Sequence, residues 1–166
     1  MPKFSAGLLP YRQRDGGVEV FVVHPGGPFW AHKDAGAWSI AKGEYEPGDD
    51  PLATALREFA EEVGRPVPDG EPIPLGEIKQ RSGKVITVFA LECDFEVSTV
   101  KSNTFTLEWP RGSGVHQDFP EVDDGRWMSL GDARRALITG QRGFLDALVD
   151  ANGTSSSGSS GPGDPE

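Results

Sequence analysis

The sequence predicts a single mixed α/β or α+β domain over residues 1–150. Three observations carry this. Apolar runs of strand length recur along most of the chain, one long amphipathic segment at Pro51–Val63 interrupts them, and shorter helical patterns follow near the end. The chain has 166 residues, enough for one buried core, and its 36% hydrophobic and 25% charged content is that of a globular protein.

Residues 4–11 and 18–23 read as a hairpin, joined by a turn around Asp15-Gly16-Gly17. A loop rich in glycine and aromatics spans 24–37, and Trp38-Ser39-Ile40 forms a short strand. Residues 73–78 and 85–95 are expected strands with a turn at Ser82-Gly83. Residues 104–109 form another, and Trp127-Met128 closes the last. Residues 132–138 and 143–149 have the pattern of short amphipathic helices. From Asn152 onward no apolar anchor remains. Residues 151–166 are therefore expected to be a flexible Ser/Gly/Pro-rich tail that cannot repay the entropy of ordering.

Composition narrows the function classes. The single cysteine, Cys93, excludes an intramolecular disulfide and any zinc site with two or more thiolates. Cys93 sits in an apolar run and reads as a small buried hydrophobe. No apolar run approaches the ~20 residues that span a bilayer, so no membrane association is expected and a reducing, cytoplasmic setting is. A formal net charge of -10 argues against a nucleic acid duplex as partner. Clustered carboxylates can instead hold divalent cations, and the cations can hold phosphates.

Residues 50–64 carry the chemistry. Asp50 suits the N-cap and Pro51 the first helical position, where its missing N–H costs nothing. Gly64 suits the left-handed residue past the end, and Pro66 prevents continuation. Leu52, Leu56, Phe59 and Val63 recur at helical spacing and form the expected core stripe. Glu58, Glu61 and Glu62 fall on the opposite half of the wheel. Three carboxylates near a helix C-terminus repel one another and the macrodipole. A hard divalent cation relieves that repulsion.

The surrounding string reads Gly43-x5-Asp49-x7-Arg57-Glu58-Phe59-x-Glu61-Glu62-x-Gly64. It resembles the Nudix box, G-x5-E-x7-R-E-U-x-E-E-x-G-U, where U is a bulky aliphatic residue. Gly43, Arg57, Glu58, Glu61, Glu62 and Gly64 match without insertion. Asp49 stands in place of Glu, Phe59 and Arg65 in place of aliphatics, and Ala41 where many members have Pro.

The resemblance implies a Nudix-type α/β/α sandwich with a mixed β-sheet and a catalytic loop–helix–loop. It also implies hydrolysis of a diphosphate bond in a nucleoside diphosphate derivative, assisted by Mg²⁺ or Mn²⁺. The implied ligands are Glu58, Glu61 and Glu62, with the Gly43 carbonyl. Arg57 would orient the carboxylates, and Glu58 or Glu61 would be the base. In the family the carboxylate at position 49 often braces the box arginine, here Arg57. A further metal-binding Glu precedes a Trp-containing strand in the family. Glu121 is the choice for it, with Asp118, Asp123 and Asp124 as rivals.

The string Trp38-Ser39-Ile40-Ala41-Lys42-Gly43 is similar to the box entry of dinucleoside polyphosphate hydrolases and of a bacterial group of NTP pyrophosphohydrolases. No proline stands about fifteen residues after the box, which makes ADP-ribose the less favoured substrate. Trp38, Lys42 and Arg81 are the candidate substrate contacts. Trp30 and Trp109 are further stacking candidates, and Lys79 and Lys84 further phosphate contacts. His24, His32 and His116 show no metal-ligand spacing and are assigned no role. The partner is then a small nucleotide, with the protein a monomer or a homodimer. The alternative is a catalytically weak Nudix-fold nucleotide-binding or regulatory module, for which Asp49 is the argument.

Overall fold

The computed structural model describes residues 3–14, 16–97 and 100–160, with side chains as far as Asn152. Eight strands and three helices follow in the order β1 (Phe4–Arg14), β2 (Gly17–Pro25), β3 (Ala41–Tyr45), α1 (Pro51–Val63), β4 (Ile73–Lys79), β5 (Val85–Glu92), β6 (Thr104–Glu108), β7 (His116–Pro120), β8 (Val122–Ser129), α2 (Leu130–Ala136) and α3 (Gly143–Ser160). A short 3₁₀ turn, Thr139–Gln141, separates the last two helices.

The main sheet runs β4-β5-β1-β2-β8, with β3 added alongside β1. It is mixed: β1 and β5 are parallel, and the other pairs are antiparallel. The eleven residues of β1 serve three neighbours, because β2 takes its last four residues and leaves its first five free to pair with β3.

Both faces of the sheet are covered, which is why β1 and β2 read as continuous apolar runs rather than as alternations. On one face Leu9, Val20, Val22, Ile86 and Val88 pack with Ala133, Leu137, Phe144, Leu145 and Leu148 from α2 and α3 and the turn between them. On the other, Ala6, Leu8, Phe21 and Val23 pack with Ala55, Phe59 and Val63 of α1. The result is the expected α/β/α sandwich.

Several expectations are corrected. The acidic segment 116–124, which the sequence marks as no apolar strand, is nonetheless extended: its first half is β7, which pairs with β6 in a separate two-stranded arm, and its second half begins β8. Trp38-Ser39-Ile40 makes only isolated bridges, Ser39 to Val23 and Trp38 to Leu137, and the strand begins at Ala41. Gly43 therefore lies on β3, not in a loop. Of the expected turn, Asp15 lies outside the described residues. The backbone of α3 runs on to Ser160, ten residues into the expected tail. Adding a residue to a helix already nucleated by packing is far cheaper than starting one. Residues 161–166 lie outside the described residues. Among the described residues no helix is long and apolar enough to cross a membrane.

Candidate active site

Helix α1 is bounded as its sequence requires. The Asp50 carboxylate accepts from the backbone N–H of Leu52 at 3.3 Å and of Ala53 at 3.4 Å. Gly64 ends the helix at φ 79°. A Cβ on Gly64 would also lie 2.3 Å from the Lys101 carbonyl oxygen, so glycine is demanded twice. Inside, the buried positions are Thr54, Ala55, Phe59 and Val63, while Leu52 and Leu56 are half-buried. The helix is thus rolled toward its acidic side relative to the expected stripe. Glu58 and Glu62 are half-buried at the edge of the packed face, and Glu61 is exposed.

The two off-pattern apolar positions have local causes. Phe59 meets Phe21 and Phe95 edge-on, at centroid distances of 6.3 and 6.0 Å, in an aromatic cluster. Arg65 lays its guanidinium 4.7 Å from the Phe95 ring centroid and donates to the Glu96 carbonyl.

Gly43 and Glu58 are locked together. A Cβ at Gly43 would lie 2.1 Å from Glu58 Cδ and 2.3 Å from its Oε1. Only the bare α-carbon leaves room for that carboxylate. Arg57 reaches Glu58 Oε2 at 3.4 Å. Asp49 does not brace Arg57. Its carboxylate accepts instead from the Glu46 backbone N–H at 3.2 Å and closes the Glu46-to-Asp49 turn. The shorter side chain serves its own turn because that donor is nearer.

Burial raises the Glu58 pKa, and the Glu61 charge adds to the rise, with Arg57 opposing it. Burial pushes Glu62 further, up to about 8, with the charges of Glu58 and Glu121 adding to the effect. The charge of Lys42 and its backbone N–H act against that shift. The Lys42 ammonium is itself lowered by burial and by Lys84, against the pull of Glu62, Glu44 and Glu58. The cluster is therefore a set of oxygen donors that resist full ionisation without a further positive charge.

Lys42, Glu62 and Glu121 line one cleft of about 250 Å³, together with Val23, Pro25, Trp30, Ser39, Ile40, Val122 and Ile138. Among the described residues, no three His, Cys, Asp or Glu side chains stand close enough together to hold an ion by themselves. The donor chemistry nonetheless fits Mg²⁺, which takes one or two carboxylates and fills the rest of its sphere with water and phosphate oxygens. Glu62 and Glu121, which line the cleft, and Glu58, whose charge bears on Glu62, are the carboxylates from which those one or two could come.

Two expected substrate contacts are elsewhere. Trp38 is only 2% exposed and bonds Asp34 through Nε1 at 2.7 Å, so it is a core residue. Arg81 lines a separate hollow with Gln80, Ser82, Thr139 and Gly140. The aromatic that lines the cleft is Trp30. Gln141 went unnoticed in the sequence. Wholly buried, it accepts from the Ile40 N–H at 2.8 Å and donates to Ser39 Oγ at 3.0 Å, pinning the entry to β3. No sequence pattern marks it, because its partners lie a hundred residues away.

Residues 1–148 match the family model described as NUDIX domain. The chain belongs to the Nudix family. It is thereby a Nudix pyrophosphohydrolase, of a class that acts on pyrophosphate bonds of nucleotide derivatives and generally uses divalent metals. It is similar to the RNA pyrophosphohydrolase of Rickettsia bellii, 26% identical over 153 residues that cover 85% of this chain and 89% of that protein. A shorter match, 35% over 66 residues and 38% of each chain, is to the RNA pyrophosphohydrolase of Rhodospirillum rubrum.

In fold it resembles a C. elegans Ap4A hydrolase solved as a binary complex. That match has TM-score 0.62 and 17% identity, covering 90% of this chain and 98% of that one. It also resembles the NUDIX domain of Shewanella oneidensis NrtR solved with ADP ribose. There the TM-score is 0.61 and the identity 14%, covering 92% and 89%. At these identities the structures speak for the fold alone.

Proposed function

We propose that this Nudix protein hydrolyses a diphosphate bond in a nucleoside polyphosphate of NTP or dinucleoside polyphosphate type, using Mg²⁺ or Mn²⁺. The observation that supports it best is the single cleft shared by Lys42, Glu62, Glu121 and Trp30. Glu58, Glu62 and Glu121, with Glu61 and the Gly43 carbonyl, would hold the cation. When bound, the cation offsets phosphate charge and lowers the pKa of water.

The chain's own groups do the rest. Lys42 contacts a phosphate oxygen, and the Trp30 ring stacks on the base. Arg57 orients Glu58 through a charge-assisted hydrogen bond. Glu58 or Glu61 takes the proton from the attacking water; Glu58 is the better shielded of the two. The names of the two sequence relatives add the 5′-triphosphate end of an RNA strand to the substrates to be tried. The net charge of -10 favours the small nucleotides over such a polyanion. A cytoplasmic location and a domain ending near residue 150 belong to the same reading.

The test is a substrate panel with products identified by mass. It comprises NTPs, dinucleoside polyphosphates, a 5′-triphosphorylated oligoribonucleotide and ADP-ribose, each with Mg²⁺, Mn²⁺ or a chelator. Metal-dependent release of phosphate, diphosphate or mononucleotide is expected from an NTP or a dinucleoside polyphosphate. The second reading, a nucleotide-binding module of weak turnover, is favoured by Asp49, whose carboxylate turns to Glu46 and leaves Arg57 unbraced. Tight nucleotide binding without turnover anywhere in the panel would establish it.

A further inference from the structure

His24 stands at the end of β2, 7% exposed, and both of its ring nitrogens are engaged. Nε2 lies 2.7 Å from the Lys33 carbonyl oxygen. A carbonyl only accepts, so this nitrogen donates. Nδ1 lies 2.8 Å from Asp123 Oδ1. The Trp38 ring stands edge-on at 5.1 Å and confines the imidazole in its plane. One side chain thus joins two segments that are ninety residues apart in sequence.

Each segment carries one wall of the cleft. On the first, the Lys33 N–H donates to the Trp30 carbonyl at 3.0 Å, and the Lys33 ammonium lies 5.4 Å from the Trp30 ring centroid. Holding the Lys33 carbonyl therefore holds the turn that presents Trp30. On the second, Asp123 is two residues from Glu121. The Glu121 carbonyl accepts from the Gly26 N–H at 3.0 Å, and a Cβ on Gly26 would lie 2.0 Å from the Pro120 carbonyl oxygen. The second segment thus also rests on Gly26, two residues past His24.

We infer that His24 is a positioning residue for both walls of the cleft, fixing Trp30 through the Lys33 carbonyl and Glu121 through Asp123. It touches neither substrate nor cation. The inference rests on the reading of Trp30 as substrate-facing and Glu121 as cation-facing.

The two bonds can be separated by isosteres. Glutamine places its amide nitrogen near imidazole Nε2, and asparagine near Nδ1. His24→Gln keeps the Lys33 bond and loses the Asp123 bond. His24→Asn does the reverse. His24→Gln and Asp123→Ala are each expected to lower kcat about tenfold with KM near wild type, while His24→Asn raises KM about tenfold with kcat nearly kept. The double variant His24→Gln/Asp123→Ala should be no worse than its worse single, because both break one link.

A merely structural histidine would change kcat and KM alike in both variants, and would give multiplied losses in the double variant. Either result overturns the inference. Trp30→Ala and Glu121→Gln are run beside these. If they leave KM and kcat at wild-type values, the site reading falls and the inference with it. If they act as expected while the His24 variants show no split, the inference alone falls. Should both His24 variants prove unfolded by thermal melting, Asp123→Ala decides, since its side chain is 38% exposed and its loss leaves the core intact. A tenfold fall in kcat supports the link, and an unchanged kcat overturns it.

Discussion

Gly43→Ala separates the stability of the box from its chemistry. The added methyl would stand 2.1 Å from Glu58 Cδ and 2.4 Å from its Cγ. Carbon atoms rest at about 3.5–4.0 Å, so the carboxyl end must retreat by more than about 1 Å. The retreat is cheap in stability. Glu58 is a flexible side chain at a partly open edge, and the Gly43 φ is one that alanine adopts freely, since it is absent from the positive-φ glycines. Alanine in a strand also regains up to about 1 kcal/mol of backbone entropy over glycine. The net change in stability is expected within about 1 kcal/mol, or about 2–4 °C in Tm for a domain of this size.

Activity has no such tolerance, because a misplacement of about 1 Å in a reacting constellation costs about a hundredfold. The assay is kcat on the best substrate of the panel, beside a thermal melt of the same preparation. A kcat near wild type would refute the coupling between Gly43 and Glu58. So would a Tm lowered by 10 °C or more, which would make the glycine a folding requirement instead.

Other outcomes follow from the same geometry. Glu62→Gln should lower kcat by two orders of magnitude or more while leaving the metal-free Tm unchanged or raised, because it removes a buried carboxylate held up at about 8; a wild-type rate would put the metal site elsewhere. Burial pushes the Cys93 thiol up to about 11, so alkylation at pH 8 should be slow in the native protein, rise as pH approaches 11, and be fast in denaturant. Fast native labelling at pH 8 would contradict that burial. A chain ending at Asn152 should keep its Tm within about 2 °C and its kcat, because among the described side chains those α3 sends into the core are Phe144, Leu145 and Leu148. A collapse of the melt would show that later residues pack on the domain.

The local chemistry was legible in the chain. Asp50, Pro51 and Gly64 mark both ends of α1 by rules that act over a few residues, and the gapped string 43–64 marks the family. Strands β1, β2, β4, β5 and β6 were visible as apolar runs, although the full length of β1 was not; β3 and β7, which are polar, were missed, and only the end of β8 was marked. Two signals misled. Periodicity alone put Leu52 and Leu56 in the core stripe beside Phe59 and Val63, whereas packing of Phe59 in the aromatic cluster of Phe21 and Phe95 rolls the helix toward Thr54 and Ala55 and leaves the two leucines half-buried. Trp38 was as plausible a stacking residue as Trp30, because an aromatic's role depends on which face of the fold covers it.

By itself, then, the sequence determined the capped acidic helix, the kind of donor atoms gathered there, and the family of reactions they serve. Those follow from covalent spacing and local hydrogen bonds. Only the tertiary structure decided that Glu58 rests on Gly43, that Asp49 turns away from Arg57, and that Gln141 and His24 hold the cleft from a distance. Each of these depends on contacts between segments remote in the chain or on the choice among competing nearby donors. Neither is set by residue spacing; both are set by how the two cores close around the sheet.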